Sequence, residues 1–141
     1  SKGFDLIDWY ELDPEVVKAC QKHLPKICGE VKANNNVKCY WGDAFESIKK
    51  IKDSKYDKIF VDLNDDQYCI DLAAKNMKGL KRILKPNGVI TAQVGCLSKK
   101  PKQVNGWLKV LSQNFGNSKL DEVYIPSFDC RWNFASSTMN S

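Results

Sequence analysis

The sequence predicts an α/β fold built on a mostly parallel sheet that ends in a C-terminal antiparallel hairpin. Three observations carry that prediction. Strand-like and helix-like patterns alternate along the 141 residues. The run "YDKIFVDL" (56–63) is apolar enough for a strand buried on both faces of a parallel sheet. Two strand-like runs near the C-terminal end, 120–126 and 130–137, lie too close together for a parallel crossover and should pair antiparallel.

Each element has a local reason. "FDLIDWYEL" (4–12) reads as the first strand. Asp13 followed by Pro14 is an N-cap with proline at the first helical position, where a missing N–H costs nothing. Val16, Val17, Cys20, Leu24 and Ile27 follow at helical spacing; Pro25 should end or kink that helix, and "CGE" (28–30) closes it. "ANNN" (33–36) is a loop, and "VKCYW" (37–41) is the second strand. "GD" then turns the chain into a short helix through Phe45, Ile48 and Ile51. After the third strand, Ile70, Ala73, Met77, Leu80 and Leu84 form one apolar stripe, with Lys78, Lys81 and Arg82 away from it. "KPNG" (85–88) should stop this helix. "GVITAQVG" (88–95) is the fourth strand, and Pro101 opens a helix with Val104, Trp107, Leu108, Leu111 and Phe115 on its apolar face. No repeat, low-complexity tract or linker divides the chain, so residues 1–141 read as one domain.

Composition narrows the function classes. The net charge of +5 is spread over many lysines, and the basic runs "KK" (49–50) and "KKPK" (99–102) are short. Solvated faces explain them; a nucleic-acid stripe needs more arginine and interleaved aromatics. No run of about 18 apolar residues offers a membrane span. The opening "SKGFDLIDWYELD" lacks the apolar segment of a secretory signal, which favours a cytoplasmic protein. The six cysteines include no CxxC pair and read as reduced thiols. His23 has no cysteine or second histidine at ligand spacing, so it reads as a surface or half-buried helix residue and no metal is expected.

In an open parallel sheet, ligands bind beyond the carboxyl ends of the strands. The residues expected there are Glu11 and Asp13, then Asp43, then Asp62, Asn64, Asp65 and Asp66, and finally Gln93 with Gly95 and Ser98. Acidic groups dominate that rim of a basic chain. A carboxylate such as Glu11 can accept both hydroxyl protons of a ribose. Asp43 either accepts from an adenine amino group or simply caps the short helix after it. Asp62 and Asp65 suit an ammonium ion and the removal of a proton from an amine. Asp13 reads as a cap, and Asp66 as a solvated residue. No glycine-rich phosphate-type loop precedes Glu11.

Five blocks, "YELDPEVVKACQKHLPKICGE", "VKCYWGDAFESIKK", "YDKIFVDLNDD", "LKPNGVITAQVG" and "VYIPSFDCRWNF", resemble in order and spacing the polyamine aminopropyltransferases, the spermidine and spermine synthases, with a lean towards the spermine synthase branch. The resemblance covers nearly the whole chain. It implies a Rossmann-like class I methyltransferase sheet and transfer of an aminopropyl group from decarboxylated S-adenosylmethionine to putrescine or spermidine, releasing methylthioadenosine. By motif, Glu11 resembles the ribose-binding acid, Asp43 the adenine-contacting acid, Asp62 the base for the attacking amine and Asp65 its companion. Gln93 matches a strand position near the donor, and Phe128 stands on the substrate side where many members have tyrosine. The donor is a co-substrate, no metal is implied, and a homodimer is the oligomer to expect. The first strand, its glycine-rich loop and the N-terminal hairpin domain of the family have no counterpart in these residues, so the chain reads as an N-terminally truncated catalytic domain, expected to be inactive alone. "GCLSKKPKQ" (95–103) places lysines where they would repel a polyamine. Two readings compete with this one: a non-catalytic relative or fragment that serves as a binding or structural module, and another S-adenosylmethionine-dependent transferase.

Overall fold

The computed structural model describes residues 3–28, 35–64 and 66–140. The expected helix end at Gly29–Glu30, part of the loop at 33–36, and Asp65 lie outside them. The chain divides into two compact units, residues 1–50 and 51–141. Among the described residues the strands form two sheets, one of two strands and one of four.

The first unit holds β1 (Ile7–Glu11), α1 (Pro14–His23), α2 (Pro25–Cys28), β2 (Val37–Trp41) and α3 (Ala44–Ile48). β1 and β2 pair in parallel, from Ile7 opposite Val37 to Glu11 opposite Trp41. Asp13 caps α1 as its sequence position required, accepting from the Glu15 N–H at 2.9 Å. Pro25 does end that helix: α1 stops at His23, and the proline opens the short α2. Val17 and Ile48 are buried, and the Tyr10 and Tyr40 rings stack at 4.8 Å across the strand pair. His23 is exposed in the last turn of α1.

The second unit holds β3 (Tyr56–Val61), α4 (Gln67–Ile83), β4 (Leu84–Gly95), α5 (Pro101–Phe115), β5 (Lys119–Ile125) and β6 (Cys130–Thr138). The strand order is β3-β4-β6-β5. β3 and β4 run parallel, while β6 is antiparallel to both β4 and β5, giving the expected C-terminal hairpin. The helical stripes read from the sequence become the core. Ile70, Ala73, Met77 and Leu80 of α4 are buried, as are Val104, Trp107, Leu111 and Phe115 of α5 and Ile90, Ala92 and Val94 of β4. α4 and α5 pack on each other and on β4. Gly106 of α5 faces Ile70 of α4 at this contact.

Three expectations are corrected. β3, at one end of its sheet, is not buried on both faces; Phe60 is 65% exposed, and Val61 alone in the strand is buried. The fourth strand begins earlier than expected: α4 stops at Ile83, just ahead of "KPNG", but β4 runs from Leu84, which pairs with Tyr56, while Val89 pairs with Lys58, so residues 85–88 bulge out around a left-handed Asn87 (φ 61°). The Asn87 N–H donates to the Met139 carbonyl. Not all cysteines are thiols. Cys96, just after β4, is bonded to Cys130 at the start of β6, with the Cα atoms 6.5 Å apart, while Cys20, Cys28, Cys39 and Cys69 are free. No helix among the described residues is long and apolar enough to cross a membrane.

Candidate active site

In the first unit, parallel pairing in register brings the carboxyl ends of β1 and β2 side by side. The Gly42 N–H donates to the Glu11 carbonyl at 2.9 Å, so Glu11 and Asp43 stand on one rim. Gly42, with φ 115°, makes the turn out of β2 in a conformation that favours glycine. The Glu11 side chain is half-buried and accepts from the Asp13 N–H at 3.0 Å through one oxygen. That bond fixes the carboxylate at the strand tip. Each carboxylate oxygen has two acceptor sites, so capacity for a diol remains. Asp43 caps α3, with Oδ1 accepting from the Phe45 N–H at 2.7 Å. The cap reading of Asp43 therefore holds, and its second oxygen is the one available to a ligand.

In the second unit, the chain leaves β3 at Val61 and runs through Asp62, Leu63 and Asn64 towards α4. Asp66 is exposed, but it also caps: its Oδ1 accepts from the Cys69 N–H at 2.8 Å. Asp62 is exposed and makes no hydrogen bond or ion pair among the described residues. It differs in this from Glu11, Asp13, Asp43 and Asp66, each of which accepts from a backbone N–H.

Gln93, half-buried near the end of β4, has both ends of its amide engaged. Its Nε2 donates to the Leu63 carbonyl, and its Oε1 accepts from the Trp132 indole N–H. Gln93 thus braces the tip of β3. A bulge at Val94 shifts the β4–β6 register just beyond it, from Gln93 opposite Phe134 to Gly95 opposite Asn133. Asn133, 2% exposed, secures the turn after the bulge by accepting from the Leu97 N–H at 2.8 Å.

Phe128 lies in a 3₁₀ turn, Pro126–Phe128, between β5 and β6; it is 51% exposed, and its ring packs 4.5 Å from that of Trp132. The turn is held from three sides. Tyr124 donates its hydroxyl to Asp129 at 2.9 Å, Lys99 donates to the carbonyls of Phe128 and Asp129 at 3.3 and 3.2 Å, and the Cys96–Cys130 bond follows immediately. Lys99, in the run expected to repel a polyamine, has its ammonium aimed at the Phe128 and Asp129 carbonyls. Trp132 and the cysteine pair were not among the sequence candidates. Alternation along "DCRWNF" gives the face of each residue, but it does not name a partner across the sheet.

Among the described residues no cluster of three or more His, Cys, Asp or Glu side chains is arranged to hold a metal. Asp62, Gln93 and Phe128 belong to the second unit, and Glu11 and Asp43 to the first.

Residues 2–141 match the spermine/spermidine synthase domain family. A polyamine aminopropyltransferase of Prochlorococcus marinus (strain MIT 9215) is 31% identical over 140 residues, which cover 93% of this chain and 48% of the relative. One from Korarchaeum cryptofilum (strain OPF8) is 21% identical over 127 residues, 89% of this chain and 39% of that protein. Among solved structures, spermidine synthase from Thermotoga maritima aligns with a TM-score of 0.83 at 16% identity, over 98% of this chain and 47% of that one. A spermidine synthase in complex with the transition-state analogue AdoDATO aligns at 0.77, also at 16% identity, over 95% and 44%. The two structures bear on fold alone, and the chain spans about half the length of the curated relatives it matches. With the α/β architecture of a Rossmann-like, methyltransferase-type spermidine synthase fold and a family match that runs from residue 2 to residue 141, the chain belongs to the spermine/spermidine synthase domain family.

Proposed function

We propose that residues 1–141 are part of the catalytic domain of a polyamine aminopropyltransferase, with decarboxylated S-adenosylmethionine as donor and putrescine or spermidine as acceptor. The observation that supports this most is the state of Asp62. It is the one candidate carboxylate among the described residues that no backbone N–H or cation engages, and it stands on a tip braced by Gln93. Such a group is available to accept a proton.

The chemistry asks for little else. The amine nitrogen attacks the carbon next to the sulfonium sulfur. That carbon–sulfur bond breaks, its electron pair neutralises the sulfur, and methylthioadenosine leaves. The proton lost from nitrogen passes to Asp62. A positioned base of this kind contributes roughly 10²- to 10⁴-fold, and holding the two reactants in line about 7–11 kcal/mol. Glu11 is assigned to the ribose hydroxyls, and the uncapped oxygen of Asp43 to the adenine amino group. Phe128, exposed beside Trp132, offers an apolar wall to the methylenes of the acceptor. Asp65 is assigned as the companion of Asp62 on the acceptor amine.

The test is product identification. The complete natural protein, incubated with decarboxylated S-adenosylmethionine and putrescine or spermidine, is expected to yield methylthioadenosine and an amine longer by one aminopropyl unit in equal amounts. No lengthened amine with either acceptor would refute the proposal.

A further inference from the structure

Gln93 is the residue through which three strands meet at the candidate base. It sits on β4, which pairs with β3 on one side and β6 on the other. One end of its amide reaches the Leu63 carbonyl beyond the end of β3, and the other reaches Trp132 on β6. Trp132 lies two residues from Phe134, the cross-strand partner of Gln93, and so on the same face of β6.

A glutamine amide is symmetric in shape but not in chemistry, and it can sit either way round. Here its neighbours decide. An indole N–H only donates, so it must face Oε1; a backbone carbonyl only accepts, so it must face Nε2. The flipped amide would oppose two donors at one end and two acceptors at the other. Trp132 therefore selects the orientation in which Gln93 holds Leu63. Removing the indole N–H leaves the amide free to turn and the Leu63 carbonyl without a fixed donor.

We infer that Trp132 is a positioning residue for the transfer reaction: by locking the Gln93 amide it holds the Leu63 peptide and so the placement of the adjoining Asp62. This rests on the reading of Asp62 as the base. The same indole packs against Phe128, so one chain of contacts, Phe128–Trp132–Gln93–Leu63, ties the 3₁₀ turn to the tip of β3. Displacement of a reacting group by about 1 Å can lower the rate about 10²-fold. The loss should therefore fall on kcat, with the donor KM little changed.

The test combines kinetics on the complete natural protein with amide and indole ¹⁵N spectra of Trp132→Phe, Gln93→Leu, Gln93→Glu and the Trp132→Phe/Gln93→Leu double variant. Trp132→Phe keeps an aromatic ring against Phe128 but lacks the N–H. Gln93→Glu keeps the side-chain length and still accepts from the indole, but it cannot donate to Leu63. Each single variant is expected to lower kcat about tenfold, with the donor KM within about twofold of wild type. Trp132→Phe should move the Asn64 amide resonance, which belongs to the Leu63 peptide group, in the same sense as Gln93→Leu. Gln93→Glu should do so while leaving the indole resonance of Trp132 hydrogen-bonded. The double variant should be no slower than Gln93→Leu alone. An unmoved Asn64 resonance in Trp132→Phe, or a double variant whose loss is the product of the single losses, would overturn the inference. Full turnover in Asp62→Asn would overturn the reading of Asp62 instead, with the link from Trp132 to Leu63 still read from the Asn64 amide.

Discussion

Breaking the Cys96–Cys130 bond should destabilise the second unit by roughly 2–4 kcal/mol under oxidising conditions and by nothing in reductant. The bond joins residues 34 apart in sequence and closes a loop that contains α5 and β5. Chain-entropy arithmetic for a loop of that length gives about 3.8 kcal/mol at 25 °C. With an m-value of about 2 kcal/mol/M, that corresponds to a shift of about 2 M in the urea midpoint. Both cysteines are almost fully buried, so the bond lies within the packed structure and not on a frayed edge. The assay has two parts. Unfolded without reductant, the chain should show four reactive thiols, those of Cys20, Cys28, Cys39 and Cys69, and all six only after reduction. Urea unfolding of the wild type should then move to lower urea on adding a dithiol reductant, while that of Cys96→Ser/Cys130→Ser should not respond. Six thiols before reduction, or a wild-type midpoint indifferent to reductant, would refute the reasoning and restore the reduced state expected from the sequence.

Two further outcomes follow from surface groups. Lys85 donates to both oxygens of Asp57 at 2.8 Å, and this hydrogen bond, followed by the lysine charge, holds the Asp57 carboxyl below its usual range. Because the folded value is the lower one, the stabilisation is complete above the unfolded value of about 3.9 and is lost as pH falls through the folded one. Lys85→Met should therefore raise the Asp57 titration midpoint, as followed by its carboxyl ¹³C shift; an unmoved midpoint would contradict this assignment. Asp66→Ala removes the cap of α4 and should destabilise the second unit by about 1 kcal/mol, while Asp66→Asn should largely restore it in thermal unfolding.

What the sequence made legible is what local periodicity controls. The stripes of α4 and α5 repeat near every 3.6 residues, and each became a buried face. β2 matched its expected bounds because an asparagine-rich loop and a Gly-Asp turn bracket it in the sequence, and the C-terminal hairpin followed from the short connection alone. What local pattern could not show is which strand lies at a sheet's end. "KIFV" reads as buried on both faces whether or not a neighbour covers it, and Phe60 is exposed. Nor could it show that the fourth strand would start at Leu84, ahead of Gly88, by pairing with Tyr56. Of the candidate site, the acids at the strand tips were legible from residue type and position. The brace on Gln93 and the Cys96–Cys130 bond were not, because each joins residues more than 30 positions apart.

The Asp66 cap has a bearing on the site as well, since it begins α4 four residues after Asp62 and so helps to limit how far the tip can move. Glu11 and Asp43 have their orientation set in the same way, by backbone N–H groups that hold one oxygen each. Asp62 alone is held through its neighbour. Under the proposed function, that difference sets the two carboxylates assigned to the nucleoside apart from the one assigned as the base.

The most direct test of that role is the turnover of the complete natural protein carrying Asp62→Asn. Asparagine keeps the shape of the side chain and removes the base. Single-turnover rates with saturating donor and amine should fall at least tenfold, with the donor KM within about twofold of wild type. Undiminished turnover would contradict the account.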